Sequence, residues 1–151
     1  MALKPDRIEA YTDISFFMNE VAERGGVVVH LTSGSGVSMD DASAVVEYAT
    51  SASGTVPAGL LLNDVVNLDL TRQHINWHKD EVQIGSKVTV LRQGQVTTDM
   101  VVSEDSPVAG DDAYYGANGL LSTTSTNSVK VGRFLSSKDA DGYVKVDINI
   151  T

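Results

Sequence analysis

The sequence predicts a mainly β protein: one domain with one or two short helices, an N-terminal arm, and a sheet closed by its C-terminal strands. Two observations carry this expectation. Near the C-terminus, Val144, Val146, Ile148 and Ile150 alternate with Lys145, Asp147 and Asn149, the period-two pattern of a strand with one dry and one wet face. Across the whole chain, aromatic residues are few while Gly, Val, Thr and Ser recur, which favours strands over helices. A length of 151 residues fits a single domain, whose folding buries about 68–70% of the unfolded surface.

The C-terminal segment is read first because the rest is organised around it. Val129, Val131, Phe134 and Leu135 precede a polar K-D-A-D-G segment, and Asp141-Gly142 is a pair suited to a positive-φ residue in a tight connection. The whole stretch from Val129 onwards therefore reads as two strands folded back on each other.

From the N-terminus, residues 1–12 read as a polar, extended arm and 13–151 as the β-rich domain. Between Thr12 and Gly25 the spacing predicts a helix. Ile14, Phe17, Met18 and Val21 fall at i, i+3, i+4 and i+7, with Thr12 or Asp13 as cap and Gly25-Gly26 as stop. Such a helix either covers the sheet or docks on a neighbouring subunit, and the pattern does not separate the two. Val27 to Leu31 is a short apolar run suited to a buried strand, followed by the flexible loop T-S-G-S-G-V-S. Ser38 to Asp41 can cap a helix reaching Tyr48, although A-V-V-E-Y-A also fits a strand, and its paired valines favour the strand.

A turn follows at Ser51 to Gly54, then a second buried run with a tight connection at Pro57–Gly59. Val82, Ile84, Val88, Val90 and Val96 predict a hairpin turning at Gln93-Gly94-Gln95, with T-T-D-M-V-V returning. Pro107 to Gly119 reads as loop, and Ser122 to Ser128 as an exposed, mobile Ser/Thr/Asn loop. No internal repeat or long linker interrupts the chain.

The formal charge of −9 repels a phosphate backbone, so direct nucleic-acid binding is not expected. The absence of cysteine removes disulfides and thiolate metal sites. No apolar run approaches the roughly 20 residues of a membrane span, and the first residues lack the apolar core of a secretion signal. These features point to a soluble protein made in a cytoplasm, with no membrane partner.

No motif carries catalysis. His74 and His78 flank Trp77 in R-Q-H-I-N-W-H-K-D-E, but the glutamate placement of a zincin helix is missing; an interface role for these polar and aromatic groups is the better reading. D-A-D-G at Asp139–Gly142 opens like a calcium loop, yet Tyr143 takes a ligand position and no glutamate closes it, so it reads as a turn. Asp111-Asp112 reads as solvated loop charge. Neither a G-x-S-x-G elbow nor a phosphate loop is present. The expectation is therefore no enzyme activity, no cofactor and no metal.

The order R-G-G-V-V-V, S-G-T-V-P-A-G-L-L-L-N-D-V-V, N-W-H-K-D-E, P-V-A-G-D-D-A-Y and V-G-R-F-L-S-S-K-D-A-D-G-Y-V-K-V resembles the head decoration, or cement, proteins of tailed bacteriophages. The likeness runs from about Asp13 to the C-terminus. It implies a β-tulip, barrel-like fold in a non-enzymatic virion protein, made in the host bacterial cytoplasm. It also implies a homotrimer on the outer surface of an expanded capsid, at three-fold and quasi-three-fold positions, clamping the major capsid protein.

Two residue groups are expected to form partner contacts, with the capsid or within the trimer. Ile8, Tyr11, Ile14, Phe16 and Phe17 are a dense apolar cluster ahead of the first clear strand; Arg72, His74, Trp77 and His78 are the polar-aromatic group. A carbohydrate-binding or host-adhesion module is the rival reading, with Tyr114, Tyr115 and Trp77 as its stacking platform. A small hydrolase is a second rival and needs a histidine hydrogen-bonded to a serine or carboxylate.

Overall fold

The computed structural model describes residues 3, 4, 6–20, 22–31, 45–62 and 87–150. The described strands are β1 (Ile8–Met18), β2 (Val27–His30), β3 (Val45–Glu47), β4 (Pro57–Leu61), β5 (Lys87–Thr98), β6 (Asp112–Tyr115), β7 (Leu121–Ser122), β8 (Lys130–Phe134) and β9 (Val144–Asn149). They join in one sheet ordered β1-β3-β2-β4-β5-β9-β8-β6-β7, and β1 pairs a second time, with β5. That extra pairing closes β1, β3, β2, β4 and β5 into a ring, while the other four strands continue from β5 as a second layer.

Two cores follow from this closure. Met18, Val28, Val46, Ala58, Leu61, Val88 and Val90 fill one cluster, drawn entirely from strands of the ring. The larger cluster joins Val27, Val29, Leu60 and Leu91 of the ring to Ala113, Tyr115, Val131, Phe134, Val146 and Ile148 of the second layer. Successive residues of β2 thus enter different cores, so both its faces are dry. This is why Val27 to Val29 is an unbroken apolar run and does not alternate.

The C-terminal expectation holds. β8 and β9 pair antiparallel through Gly132↔Ile148, Arg133↔Asp147 and Phe134↔Val146. In the connection, Asp139 Oδ1 accepts the backbone N–H of Asp141 and of Tyr143, both at 2.9 Å, and Gly142 takes φ +85°. D-A-D-G is a side-chain-stabilised turn. Gly132 is obligatory: a Cβ there would lie 1.8 Å from the Asp147 carbonyl oxygen. The buried strands at Val27 and Val45 and the turn at 52–54 also appear where the sequence places them.

Four expectations are corrected. The helix over Thr12–Gly25 is replaced by strand β1, which passes through residue 12, where the reading placed the junction of arm and domain. The only helical element among the described residues is a 3-10 turn at Ala117–Gly119. The tight connection at Pro57–Gly59 is the start of β4: Pro57 occupies the first strand position, where its missing N–H is tolerated, and Gly59 admits β5, whose Leu91 carbonyl oxygen would meet a Cβ at 2.9 Å.

The turn at Gln93-Gly94-Gln95 lies inside the continuous β5, where Gly94 has φ +152° and a Cβ would be 2.1 Å from the Ile8 carbonyl oxygen. A glycine within a strand marks close backbone approach as readily as a turn. The loop over Pro107–Gly119 contains β6, whose four residues are too few to display a period. Of the Ser122–Ser128 loop, Thr124 to Asn127 are exposed, but Ser122 is buried in β7. There its hydroxyl donates to Asp105 Oδ2 at 2.7 Å, and Thr123 N donates to the same oxygen at 2.8 Å. Val82 and Ile84 lie outside the described residues.

Candidate functional site

The functional question falls on β1, because three large apolar residues, Ile8, Tyr11 and Ile14, are among those it exposes. Its ladder with β5 is irregular. Register slips occur between Glu9 and Tyr11, between Tyr11 and Thr12, and between Asp13 and Phe16. The first sets Ala10 out of pairing. The second leaves Arg92 as the extra residue of β5, since Tyr11 faces Gln93 and Thr12 faces Leu91. The third inserts Ile14-Ser15 into β1. Bulges of this kind re-aim side chains at the expense of ladder hydrogen bonds.

Local chemistry holds the third bulge. Asp13 Oδ1 accepts the Ser15 backbone N–H at 2.8 Å and also the Ser15 hydroxyl. The Ser15 hydroxyl bond holds the Asp13 carboxyl below its usual range; burial opposes this, and the Ser15 amide and the Arg92 charge reinforce it. Ile14 emerges at the bulge with 61% of its surface exposed, alongside Ile8 at 60% and Tyr11 at 52%.

The five apolar residues expected to form one face are therefore divided. Ile8, Tyr11 and Ile14 are exposed, whereas Phe16 and Phe17 are half-buried. Phe16 packs against the ring core and meets the His30 ring at 5.4 Å and 60°. Burial, then the Arg92 charge, pushes the His30 imidazole below its ordinary pKa. The second expected group, Arg72, His74, Trp77 and His78, lies outside the described residues.

Sequence reasoning missed Arg92. Its guanidinium carbon stands 5.6 Å from the centroid of the Tyr11 ring, and its Nε is buried with no hydrogen-bond partner among the described residues. A depression of about 300 Å³ opens there between Tyr11, Arg92, Gln93 and Ile150. A second, of about 340 Å³, lies over Gly94, with Ile8, Gln95, Asp147 and Asn149 among its walls. No local pattern marks Arg92, because the strand alternation that would assign its direction is broken at that residue.

The first residues are tied down on the neighbouring surface. Leu3 is buried and bridges Thr98, Lys4 N donates to the Thr97 carbonyl at 2.9 Å, and Lys4 Nζ sits 4.5 Å over the Tyr143 ring. Around that ring the charges are acidic. Burial raises the Tyr143 hydroxyl pKa, and Asp99, Asp141, Glu23 and Asp139 raise it further.

The sites imagined for the rival functions take other roles. Tyr115 is 1% exposed and its hydroxyl is engaged with Thr55, at 2.7 Å from Oγ1 and 3.2 Å from the carbonyl oxygen, so it offers no face for stacking a sugar. Tyr114 is half-buried, and Trp77 is not among the described residues. A depression of about 400 Å³ beside His30 is walled by Glu47, Thr50, Ser51 and Thr55, but the imidazole packs on the Phe16 ring and feels Arg92 only through its charge. Among the described residues no three His, Asp or Glu side chains gather as a metal site, and no helix is long and apolar enough to cross a membrane.

An apolar, bulged strand face without a catalytic cluster suits binding, and comparison with known families agrees. Residues 6–149 match the phage family described as structural cement protein (E217 gp24/Pam3 gp6). The chain belongs to that family. Its role is accordingly structural and capsid-stabilising, its place is in the virion, and its partner is the capsid lattice. The match spans all of β1 and reaches the last residue of β9, so every strand that pairs with β5 belongs to the cement unit. A comparison with curated proteins found no match.

Proposed function

We propose that this cement protein binds the outer surface of the expanded capsid as a homotrimer at three-fold and quasi-three-fold positions, and that β1 meets the major capsid protein. The observation carrying the proposal is the row Ile8, Tyr11 and Ile14, displayed by bulges on a strand whose neighbours are two depressions. Single exposed apolar residues are ordinary, but three on one strand, in a chain of charge −9, mark an interaction surface. Burying one such side chain contributes about 1.5–3 kcal/mol. Three subunits engaging the lattice together multiply weak contacts into firm attachment.

In this reading residues 6–12 of the arm form a ridge, with Leu3 and Lys4 as anchors, and a contact made in advance of binding loses less entropy on docking. Phe16 and Phe17 support the ridge from below. Arg72, His74, Trp77 and His78 supply a second contact, to the capsid or within the trimer. The β-tulip is the ring with its attached layer, and the capsid-facing side is the one that carries β1.

Co-sedimentation with expanded, undecorated capsids tests the proposal, with mass by light scattering giving the free oligomer. Saturable binding at a fixed ratio to the major capsid protein, lost in Ile14→Asp, is the expected result. Full occupancy by Ile14→Asp and Tyr11→Ala would remove β1 from the interface. Deleting residues 1–11 is a poorer test, because it also removes Leu3 from the core.

A further inference from the structure

We infer that the depression between Tyr11 and Arg92 is a seat for a carboxylate side chain of the capsid protein, gripped by the Arg92 guanidinium beside the Tyr11 ring. The inference rests on the reading that β1 faces the capsid, and it specifies the chemistry of that contact.

Three independent observations converge on Arg92. The bulge in β5 is placed at this residue, so the backbone departs from regular pairing where the guanidinium is presented. Its Nε is buried without an acceptor among the described residues, and an unpaired buried donor is rare enough in folded proteins to require a reason. The depression beside it is walled by a ring, an amide and an aliphatic side chain, Tyr11, Gln93 and Ile150, with no carboxylate among them. The Asp13 carboxylate is committed to Ser15 and reaches Arg92 only through its field.

Charge and shape select the occupant. A guanidinium presents a planar fork of N–H donors that matches the two oxygens of a carboxylate. A run of phosphates fits poorly, because Arg92 offers one cation in a chain of charge −9. A carboxylate entering beside Tyr11 loses its water together with Ile8 and Ile14, and a charge pair formed at such a desolvated site gains strength. The apolar row then excludes water around a central charged pair, as at the strongest points of other protein interfaces.

The test uses the full chain with expanded capsids at several salt concentrations, together with thermal unfolding of the free protein. Arg92→Met keeps the aliphatic volume and removes the unpaired donor. It is expected to bind at least about tenfold more weakly and to lose most of the salt dependence of binding, while its unfolding midpoint stays at or above that of the parent. Arg92→Lys is expected to restore only part of the binding, since an ammonium cannot fork. Parental affinity and salt dependence in Arg92→Met, with binding abolished in Ile14→Asp, would overturn the carboxylate seat and keep β1 as the contact. Parental binding by both variants would overturn the β1 reading itself. A lowered unfolding midpoint in Arg92→Met and Arg92→Lys alike would make Arg92 a structural residue and also overturn the seat.

Discussion

Of the three strands that pair with β5, β9 and β1 use it in opposite ways. On one edge β9 pairs with it in unbroken register from Gln93↔Asn149 to Thr98↔Val144, and Val144, Val146 and Ile148 alternate into the core. On the other edge β1 pairs with three register slips and turns Ile8, Tyr11 and Ile14 to solvent. The regular ladder uses its hydrogen bonds and its apolar face for cohesion. The broken one gives up part of both to aim side chains outwards. In the proposed reading, stability and attachment to the capsid fall on opposite edges of one strand.

The sharpest way to break this division is to strike the regular side. Phe134, fully buried and paired with Val146, should cost about 3–5 kcal/mol as Phe134→Ala, read as a lower urea midpoint. Gly132→Ala should also destabilise severely, because its new Cβ must force β8 away from β9. A midpoint shift below about 1 kcal/mol in both would mean that the second layer is not what holds the fold.

On the irregular side the effects should exchange places. Tyr11→Ala and Ile14→Asp are expected to leave unfolding within about 0.5 kcal/mol of the parent, as exposed substitutions do, while capsid occupancy falls at least about tenfold. Loss of stability comparable to Phe134→Ala would erase the contrast.

Smaller effects probe the bulge itself. Asp13→Ala removes the acceptor of two Ser15 hydrogen bonds and should cost about 1 kcal/mol, with a larger proportional loss in binding as Ile14 loses its fixed direction. Because the Asp13 carboxyl sits below the ordinary aspartate range, its contribution is present at neutral pH and fades only as pH falls through the lowered value. Acid titration of the parent and of Asp13→Ala should therefore differ at neutral pH and converge in strong acid.

The smallest expected effect concerns His30. Its folded pKa lies below the ordinary imidazole value of about 6.5, so the unfolded chain binds the proton more readily, and stability declines as pH falls from there towards the folded value. Replacing His30 with Gln should flatten that slope in thermal unfolding followed between neutral and mildly acid pH. The same slope in parent and variant would detach it from His30.

How much of this was legible in the sequence follows the same division. β9 announced itself because its ladder is regular, so sequence period and structural period coincide. β2 was legible as an apolar run because both its faces are dry. β1 was misread as a helix because the Ile14-Ser15 bulge breaks the alternation, and the displaced residues happened to fall at helical spacing. β5 was split into a hairpin because Gly94 signals close approach and turning with the same residue. Of the contact surface, Ile8, Tyr11 and Ile14 were visible as an apolar cluster, whereas Arg92 was hidden by its own bulge. Tyr115, offered as a sugar platform, shows the converse: an aromatic residue in a glycine-rich stretch was taken for a surface group, and its burial with Thr55 is set by strands distant in sequence.

The sequence by itself determined that the chain is β-rich, acidic and cysteine-free, because composition and period-two patterning are local properties, and the order of its motifs carried the resemblance to phage cement proteins. Only the tertiary structure decided that β1 closes a ring, that Arg92 stands beside Tyr11, and that the apolar row divides into exposed and supporting residues. Those outcomes depend on register between segments some eighty residues apart, from Ile8 to Phe17 against Lys87 to Gln95. A slip of one residue turns a side chain to the other face, and a single segment read alone carries no record of where its partner slips.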